Sequence, residues 1–249
     1  ESGEVVEIEC GSIRLFDFDG APIGRKSVKV NQNFQAAQKG THPDFMSKEI
    51  AEQPEAVQRA LAGRVNLVTG GLEMPEIPLT TNQIRSINRV IVTGMGTSLH
   101  AGMFGALMIE SLARIPASAE NSSELRYRNP AIDPNTLVIA VTQSGETADT
   151  LAAMEYASER GSAQGAVLEQ EGSQAARIAD FTLPINAGQE IGVASTKTMI
   201  ASMTTLLELA VFLSKSRGVI DADRVRQIVE QLAALPSLIT STIDRNSDT

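Results

Sequence analysis

The sequence predicts an α/β fold, with a parallel sheet between helices, preceded by a short antiparallel β segment. Residues 89–219 repeat a rhythm of strand, turn and helix. Four apolar runs in that region have the length of buried strands: 90–93, 137–141, 165–168 and 181–185. Strands that alternate with helices in this way form parallel sheets covered on both faces. Residues 4–30 instead alternate apolar and polar positions, which is typical of short antiparallel strands.

Composition excludes several classes of function. The 249 residues are 42% hydrophobic, and no run reaches the ~18–20 apolar residues of a membrane span, so we expect no membrane contact. The formal charge of −9 and the absence of tryptophan argue against nucleic-acid binding. Nothing resembles a signal peptide, and a single cysteine fits the reducing cytoplasm. We expect that cysteine, Cys10, to be buried in a strand.

The first third of the chain predicts strands, a linker and helices. The β segment continues past a turn at Asp19-Gly20 to Val28 and Val30, and its three strands bury too little surface to be stable alone. They should therefore belong to a larger body. A polar linker, 31–42, precedes one helix that starts at Asp44 and a second with Pro54 in its first turn.

The later helices follow the sheet strands. Ile84 and Ile87 indicate a short helix, and a short strand is expected at 117–120. The longer helices are predicted at 101–114, 146–159 and 195–216, the last with Ser195 as its cap. Asp221 is expected to cap a final helix that carries Val225 to Leu232.

One strand-to-helix turn has the residues of an anion site. Thr142, Gln143, Ser144 and Thr147 crowd hydroxyl and amide donors onto the end of the strand 137–141. A helix amino terminus adds free N–H groups and the positive end of its dipole, so the turn predicts a phosphate site. The alternative is structural: Ser144 caps the helix, and Gly145 makes the turn.

Two further turns should lie at the same edge of the sheet. Gly94-Met-Gly-Thr-Ser98 matches neither a dinucleotide fingerprint nor a Walker loop. In the segment 188–197, the backbone of Val193 and Ala194 could face a ligand. Lys197 either offers charge to a phosphate or is a solvated lysine of a first helical turn.

His42 and His100 have no neighbours in the sequence that could complete a set of metal ligands, so no metal site is expected.

Five segments together resemble the isomerase half of the glutamine–fructose-6-phosphate amidotransferase (glucosamine-6-phosphate synthase) family. They are Lys48-Glu-Ile-Ala-Glu-Gln-Pro54, Gly96-Thr-Ser98, Ser123-Glu-Leu-Arg-Tyr-Arg128, Gln143-Ser-Gly-Glu-Thr-Ala-Asp-Thr150 and Glu190-Ile-Gly-Val-Ala-Ser-Thr-Lys197. The resemblance implies a flavodoxin-like sugar isomerase (SIS) domain that holds a sugar phosphate. The positions that match the family's phosphate and sugar contacts are Ser98, Thr142, Gln143, Ser144, Thr147, Val193 and Ser195. Thr142 stands where serine is common and keeps the hydroxyl, and the acidic segment 167–173 departs from the family, so no contact is carried over from it.

The resemblance also implies a domain organisation. Residues 1–30 correspond to the last strands of a glutaminase domain, 31–85 to a linker and leading helices, 86–220 to the first SIS domain, and 221–249 to a helix that leads toward a second. The family's catalytic residues lie outside these segments, so none is expected here. The implied ligands are fructose 6-phosphate and glucosamine 6-phosphate, the implied assembly is a homodimer, and no cofactor or metal is implied.

Two other functions stay open at this stage. A non-catalytic SIS module that senses sugar phosphates would share the hydroxyl-rich turns, but would not be expected to carry glutaminase-like strands. A nucleotide-binding domain is disfavoured because the glycine fingerprint fails. The flanking coding sequence would discriminate between the synthase and the sensor.

Overall fold

The computed structural model describes residues 3–25 and 38–246, which belong to two compact units, 1–35 and 36–249. In the first unit, β1 (Glu4–Glu9) pairs antiparallel with β2 (Ser12–Asp17). The strand expected around Val28 and Val30 lies outside the described residues. Cys10 is exposed in the turn of the hairpin, so the expectation that it is buried was wrong. Within the described residues of this unit, no second layer packs on the two-stranded hairpin.

The second unit carries the predicted alternation of strands and helices. Its strands are β3 (Val65–Asn66), β4 (Gly71–Leu72), β5 (Arg89–Gly94), β6 (Ala117–Asn121), β7 (Thr136–Val141), β8 (Ala163–Leu168) and β9 (Phe181–Pro184). Its helices are α1 (Phe45–Ala51), α2 (Gln53–Leu61), α3 (Thr81–Ser86), α4 (Gly96–Met108, continued by a π-helix at Ile109–Ala113), α5 (Ser122–Arg128), α6 (Ala148–Ser158), α7 (Gln174–Ile178), α8 (Lys197–Arg217) and α9 (Ala222–Asn246).

The sheet has the predicted architecture. Its strands are all parallel and lie in the order β6-β5-β7-β8-β9. Numbered along the chain from β5, this is the flavodoxin-like order 2-1-3-4-5, in which the direction of winding reverses between β5 and β7. Every residue of β7 is buried, as expected for a central strand with helices on both faces. The predicted α/β fold class is therefore confirmed.

Two features of the helices stand out: an early start and an internal proline. Helix α4 begins at Gly96, five residues earlier than predicted, so Ser98 lies in its first turn. Helix α9 continues through Pro236 to Asn246, although a proline normally ends a helix because it removes one backbone hydrogen bond. Leu232, Leu235 and Ile239 pack against the core on both sides of that proline. This burial at helical spacing outweighs the lost bond.

Helix α8 crosses the centre of the unit. By length and composition it could span a membrane, because its most apolar 18-residue stretch has a mean hydropathy of 1.3. However, 72% of that stretch is buried inside the protein. Its apolar residues, among them Leu206, Leu209 and Val211, belong to the main core together with β5, β7 and β9. An apolar helix in this position is explained by burial within the domain.

A buried arginine joins the segment after α2 to the sheet and to α8. The guanidinium of Arg64 donates to Oε1 of Glu76 at 2.7 Å, to the carbonyl oxygen of Pro184 at 2.9 Å and to Oε2 of Glu208 at 3.1 Å. Arg64 is only 4% exposed and Glu208 is fully buried. Oε1 of Glu208 has no hydrogen-bond partner among the described residues. Burial raises the pKa of Glu208 to about 8, although the charge of Arg64 opposes the shift.

The raised pKa of Glu208 predicts a pH dependence of stability. The folded state binds this proton more tightly than the unfolded chain, whose glutamates have a pKa near 4.5. The contribution of protonated Glu208 to the free energy of unfolding is therefore fully present below about pH 4.5 and is lost as the pH rises through about 8. Between these limits, Glu208 should lower the free energy of unfolding by at most about 1.4 kcal/mol per pH unit, and we expect Glu208→Gln to remove this slope.

Denaturant unfolding at several pH values, with Tm as a second readout, measures this slope. Glu155→Gln, on the exposed face of α6, is the matched control and should keep the wild-type slope. If the free energies of unfolding of Glu208→Gln and the wild type change in parallel with pH, Glu208 is not the group that binds the additional proton in the folded state.

Candidate functional site

The three hydroxyl-rich turns meet at the carboxyl edge of the sheet, around a cavity of about 200 Å³. The cavity lies beside the ends of β5 and β7, where the strand order reverses and where open α/β sheets bind ligands. All seven residues predicted from the sequence line it: Ser98, Thr142, Gln143, Ser144, Thr147, Val193 and Ser195. The structure thus brings together residues that are up to 97 positions apart (195 − 98) in the chain.

The turn 142–147 is shaped by its own hydroxyls. Oγ1 of Thr142 accepts from the N–H of Gly145 at 3.2 Å, and Oγ of Ser144 accepts from the N–H of Glu146 at 3.2 Å. Helix α6 then starts at Ala148, with Thr147 as its N-cap and no side-chain cap bond. The alternative in which Ser144 caps this helix was therefore wrong. The amino end of α6 and the hydroxyl of Thr147 instead border the cavity.

The acidic residue of this turn, Glu146, does not line the cavity. The carboxylate of Glu146 accepts from the backbone N–H of Gln174, at the start of α7, at 2.9 Å. Gly145 has a φ of +67°, and its carbonyl oxygen accepts from the N–H of Ala175 at 3.0 Å. The turn is thereby fixed to α7, and the carboxylate of Glu146 is bound there rather than at the cavity.

The second turn brings α4 close to the sheet. A Cβ at Gly94 would lie 3.0 Å from the carbonyl oxygen of Val141 and 3.0 Å from the backbone of Ser98. Only a glycine allows this close approach without a shift of the backbone. Met95 is the N-cap of α4 and provides no side-chain cap bond. Ser98 in the first turn of α4 therefore borders the same cavity as the amino end of α6.

The third side of the cavity is the wall loop, residues 186–196. Among the described residues, 186–195 make no backbone-to-backbone hydrogen bond. Carboxylates bind the amides of this loop instead. Glu169, at the end of β8, accepts from the N–H of Ala187 at 2.8 Å and of Gly188 at 2.9 Å. Burial raises the pKa of Glu169, and these two bonds partly offset that effect.

The amino end of α8 is bound by Glu190 of the wall loop and not by Ser195, the predicted cap. The N-cap of this helix is Thr196, which provides no side-chain cap bond, so the prediction that Ser195 caps it was wrong. The carboxylate of Glu190 accepts from the N–H of Thr196 at 2.8 Å and also from the hydroxyl of Thr198. The hydroxyl of Ser195 lies 2.6 Å from that of Thr198. A carboxylate of the protein therefore already occupies the positive end of the α8 dipole.

Lys197 fits neither of the two roles considered for it. Its side chain is buried, and Nζ forms an ion pair of 2.7 Å with Oε2 of Glu52, beside α2. Burial disfavours the charged form of Glu52, but the hydrogen bond and charge of Lys197, together with Lys48, lower its pKa. Lys197 thus holds the start of α8 to the α1–α2 segment and offers no free charge to a ligand.

The sequence reasoning missed Glu49, Glu169 and Glu190. Each binds backbone amides of the wall loop, and two of them come from elements that precede the loop by 18 residues or more. The acidic segment 167–173 stood out in the sequence as a departure, and Glu169 in it supports the loop. The burial of Glu49 had no signal in the sequence.

Comparisons with known proteins agree with this geometry. The family model described as SIS domain matches residues 83–213. The chain is 40% identical over 244 residues to the glutamine–fructose-6-phosphate aminotransferase [isomerizing] of Caulobacter vibrioides, and the match covers 98% of this chain and 39% of that protein. The protein of that name from Thermus thermophilus is 35% identical over 243 residues, which cover 98% of this chain and 40% of the relative.

A solved structure supports the same relationship. The C-terminal domain of glucosamine-fructose-6-phosphate aminotransferase from Francisella tularensis superposes with a TM-score of 0.79 at 27% identity, over 85% of this chain and 58% of that one. The chain spans about two fifths of the length of the curated relatives that it matches. The family match extends over the sheet, all three hydroxyl-rich turns and most of α8. The chain therefore belongs to the SIS domain family.

Proposed function

We propose that this chain is the sugar-phosphate-binding part of a glutamine:fructose-6-phosphate aminotransferase (isomerizing), which makes glucosamine 6-phosphate. The observation that carries the proposal is the turn 142–147, where three hydroxyls and the uncapped amino end of α6 border one cavity. Such a group of donors suits a phosphate dianion. The names of the relatives at 35–40% identity support fructose 6-phosphate as the sugar phosphate.

The electrostatics of the cavity favour one orientation of this ligand. Glu190 at the α8 side carries a negative charge and would repel a phosphate. The turn before α6 has no carboxylate toward the cavity, because Glu146 binds Gln174. We therefore place the phosphate at Thr142, Gln143, Ser144 and Thr147, and the sugar toward Ser98, Val193 and Ser195.

The residues of this site would bind and orient the substrate rather than react with it. Interactions with a remote phosphate position the reacting carbons and lower the entropic cost of the reaction. We assign no catalytic residue within the chain and no cofactor or metal. Residues 1–30 would end a glutaminase domain, and 221–249 would lead toward a second SIS domain that supplies ring opening and proton transfer.

Partners and location follow from the same proposal. The ligands would be fructose 6-phosphate and glucosamine 6-phosphate, and the assembly a homodimer in the cytoplasm. Nucleic acid and membranes are not proposed as partners, in keeping with the formal charge of −9 and the burial of α8.

Removal of two hydroxyls tests the phosphate assignment. We expect Ser144→Ala/Thr147→Ala to weaken fructose 6-phosphate binding roughly 100-fold or more, because the variant removes two hydrogen bonds to a charged group, each worth about 1.5–3 kcal/mol. Isothermal titration against wild type and variant measures the Kd.

The control for this variant is Thr240→Ala/Thr242→Ala on the exposed side of α9. These hydroxyls donate only to carbonyl oxygens of their own helix. The control should bind as the wild type does. Equal affinity of the Ser144→Ala/Thr147→Ala variant and the wild type would reject the assignment of the phosphate to this turn.

Gly145 provides a second test of the turn. An alanine there would adopt a φ of +67°, which costs roughly 1–2 kcal/mol, and its Cβ would overlap the side chain of Ser173. We expect Gly145→Ala to lower the free energy of unfolding by at least that amount and to weaken fructose 6-phosphate binding.

Gly172→Ala is the matched control, since a Cβ at Gly172 meets nothing within 4 Å. It should change Tm and Kd little. If both glycine variants show the same Tm and Kd, the geometry of the Gly145 turn does not constrain the site.

A further inference from the structure

Glu49 is a buried carboxylate whose partners lie more than 140 residues away. It belongs to α1, is 2% exposed, and its Oε1 accepts from the N–H of Ile191 at 2.6 Å and of Gly192 at 3.1 Å. Oε2 also accepts from the N–H of Gly192, at 3.2 Å. Among the described residues, Glu49 forms no ion pair with a lysine or arginine within 4 Å. Its partners are the two backbone amides that immediately precede Val193.

The contact of Glu49 matters because the wall loop has no backbone support of its own. Residues 186–195 make no backbone-to-backbone hydrogen bond among the described residues, and Val193 is fully exposed toward the cavity. A chain segment without such bonds samples many conformations unless other groups restrict it. The conformation that brings Val193 and Ser195 to the cavity must therefore be fixed by side chains.

The α1–α2 segment provides two more contacts to the same region. Arg59 of α2 donates to the carbonyl oxygens of Asn186 and Ala187, each at 2.8 Å. Glu52, between the two helices, pairs with Lys197. These contacts hold the beginning of the wall loop and the start of α8. Glu49 alone of the three binds the middle of the loop, next to the residue that faces the ligand.

We propose that Glu49 is a positioning residue for the sugar half of the binding site. It fixes the amides of Ile191 and Gly192, so that the backbone of Val193 and the hydroxyl of Ser195 face the sugar before the ligand arrives. Preorganisation of this kind raises affinity because the loop is already ordered when the ligand binds. The inference rests on the proposed function for the identity of the ligand.

The phosphate half of the site is held independently of Glu49. The turn 142–147 is fixed by Thr142, by Ser144 and by the contact of Gly145 with α7. A change at Glu49 should therefore weaken the binding of a whole sugar phosphate and leave the binding of inorganic phosphate unchanged. General destabilisation of the fold would weaken both.

Glu49→Gln tests the proposal, because glutamine keeps the size of the side chain and removes its charge. We expect the affinity for fructose 6-phosphate to fall about tenfold or more, equivalent to about 1.4 kcal/mol, with the affinity for inorganic phosphate within about twofold of the wild type. Hydrogen exchange of the Ile191 and Gly192 amides should become about tenfold faster. Glu230→Gln on the exposed side of α9 changes the net charge equally and should behave as the wild type.

Gly192→Ala disturbs the same contact from the other side and leaves the buried carboxylate in place. Its Cβ would lie 2.5 Å from Oε2 of Glu49, so either the loop or the carboxylate must shift, and either shift disturbs the contact. Gly192→Ala should reproduce the loss of affinity for fructose 6-phosphate and the faster hydrogen exchange of the loop amides. If Glu49→Gln does not fold, Gly192→Ala alone tests whether the contact positions the loop.

The outcomes separate this inference from the proposed function. Unchanged amide exchange in Gly192→Ala and in a folded Glu49→Gln overturns the positioning role, whichever ligand binds. Equal loss of phosphate and sugar-phosphate affinity also overturns it. A wild-type chain that binds inorganic phosphate as tightly as fructose 6-phosphate rejects the proposed ligand, and the exchange measurement then still decides whether Glu49 orders the loop.

Discussion

Carboxylates bound to backbone amides are the interaction on which the cavity depends. The last strand ends at Pro184, and after Ile185, whose N–H donates to the carbonyl oxygen of Leu168, the backbone pairs with no neighbouring strand among the described residues. Glu169, Glu49 and Glu190 bind the amides at the beginning, middle and end of the wall loop in turn. Backbone N–H groups need partners when water is excluded, and a carboxylate satisfies two or more of them at once. The loop thereby has a defined shape without secondary structure.

This arrangement also distributes charge across the cavity. Two sides carry the amino ends of helices with hydroxyls and no facing carboxylate, whereas the third side contains Glu190 against the start of α8. The amino end of α8 is bound by the carboxylate of Glu190, whereas the amino end of α6 has no side-chain cap bond. The two ends of the cavity therefore differ in charge: hydroxyls and a helix amino end lie on one side, and a carboxylate lies on the other.

The sequence was informative wherever a local pattern determines the structure. Apolar runs between polar turns predicted the strands of the sheet, and parallel topology then brought Ser98, Thr142 and Ser195 to one edge. It failed wherever a partner distant in the chain decides the outcome. Nothing near Lys197 indicates that Glu52 buries it, and nothing near Glu49 indicates its contact with Gly192.

The contacts of the α1–α2 segment bear on where the functional domain begins. The family match starts at residue 83, whereas Glu49, Glu52, Arg59 and Arg64 all precede it. A chain shortened to the matched region would keep the sheet and the turn 142–147, but it would lack Glu52 and Arg64, the partners of Lys197 and Glu208, and Glu49, which binds the wall loop. The unit that holds the wall loop in place is therefore wider than the unit that the family match delimits. Under the proposed function, the helices ahead of the matched region support the binding site, even though they do not line the cavity.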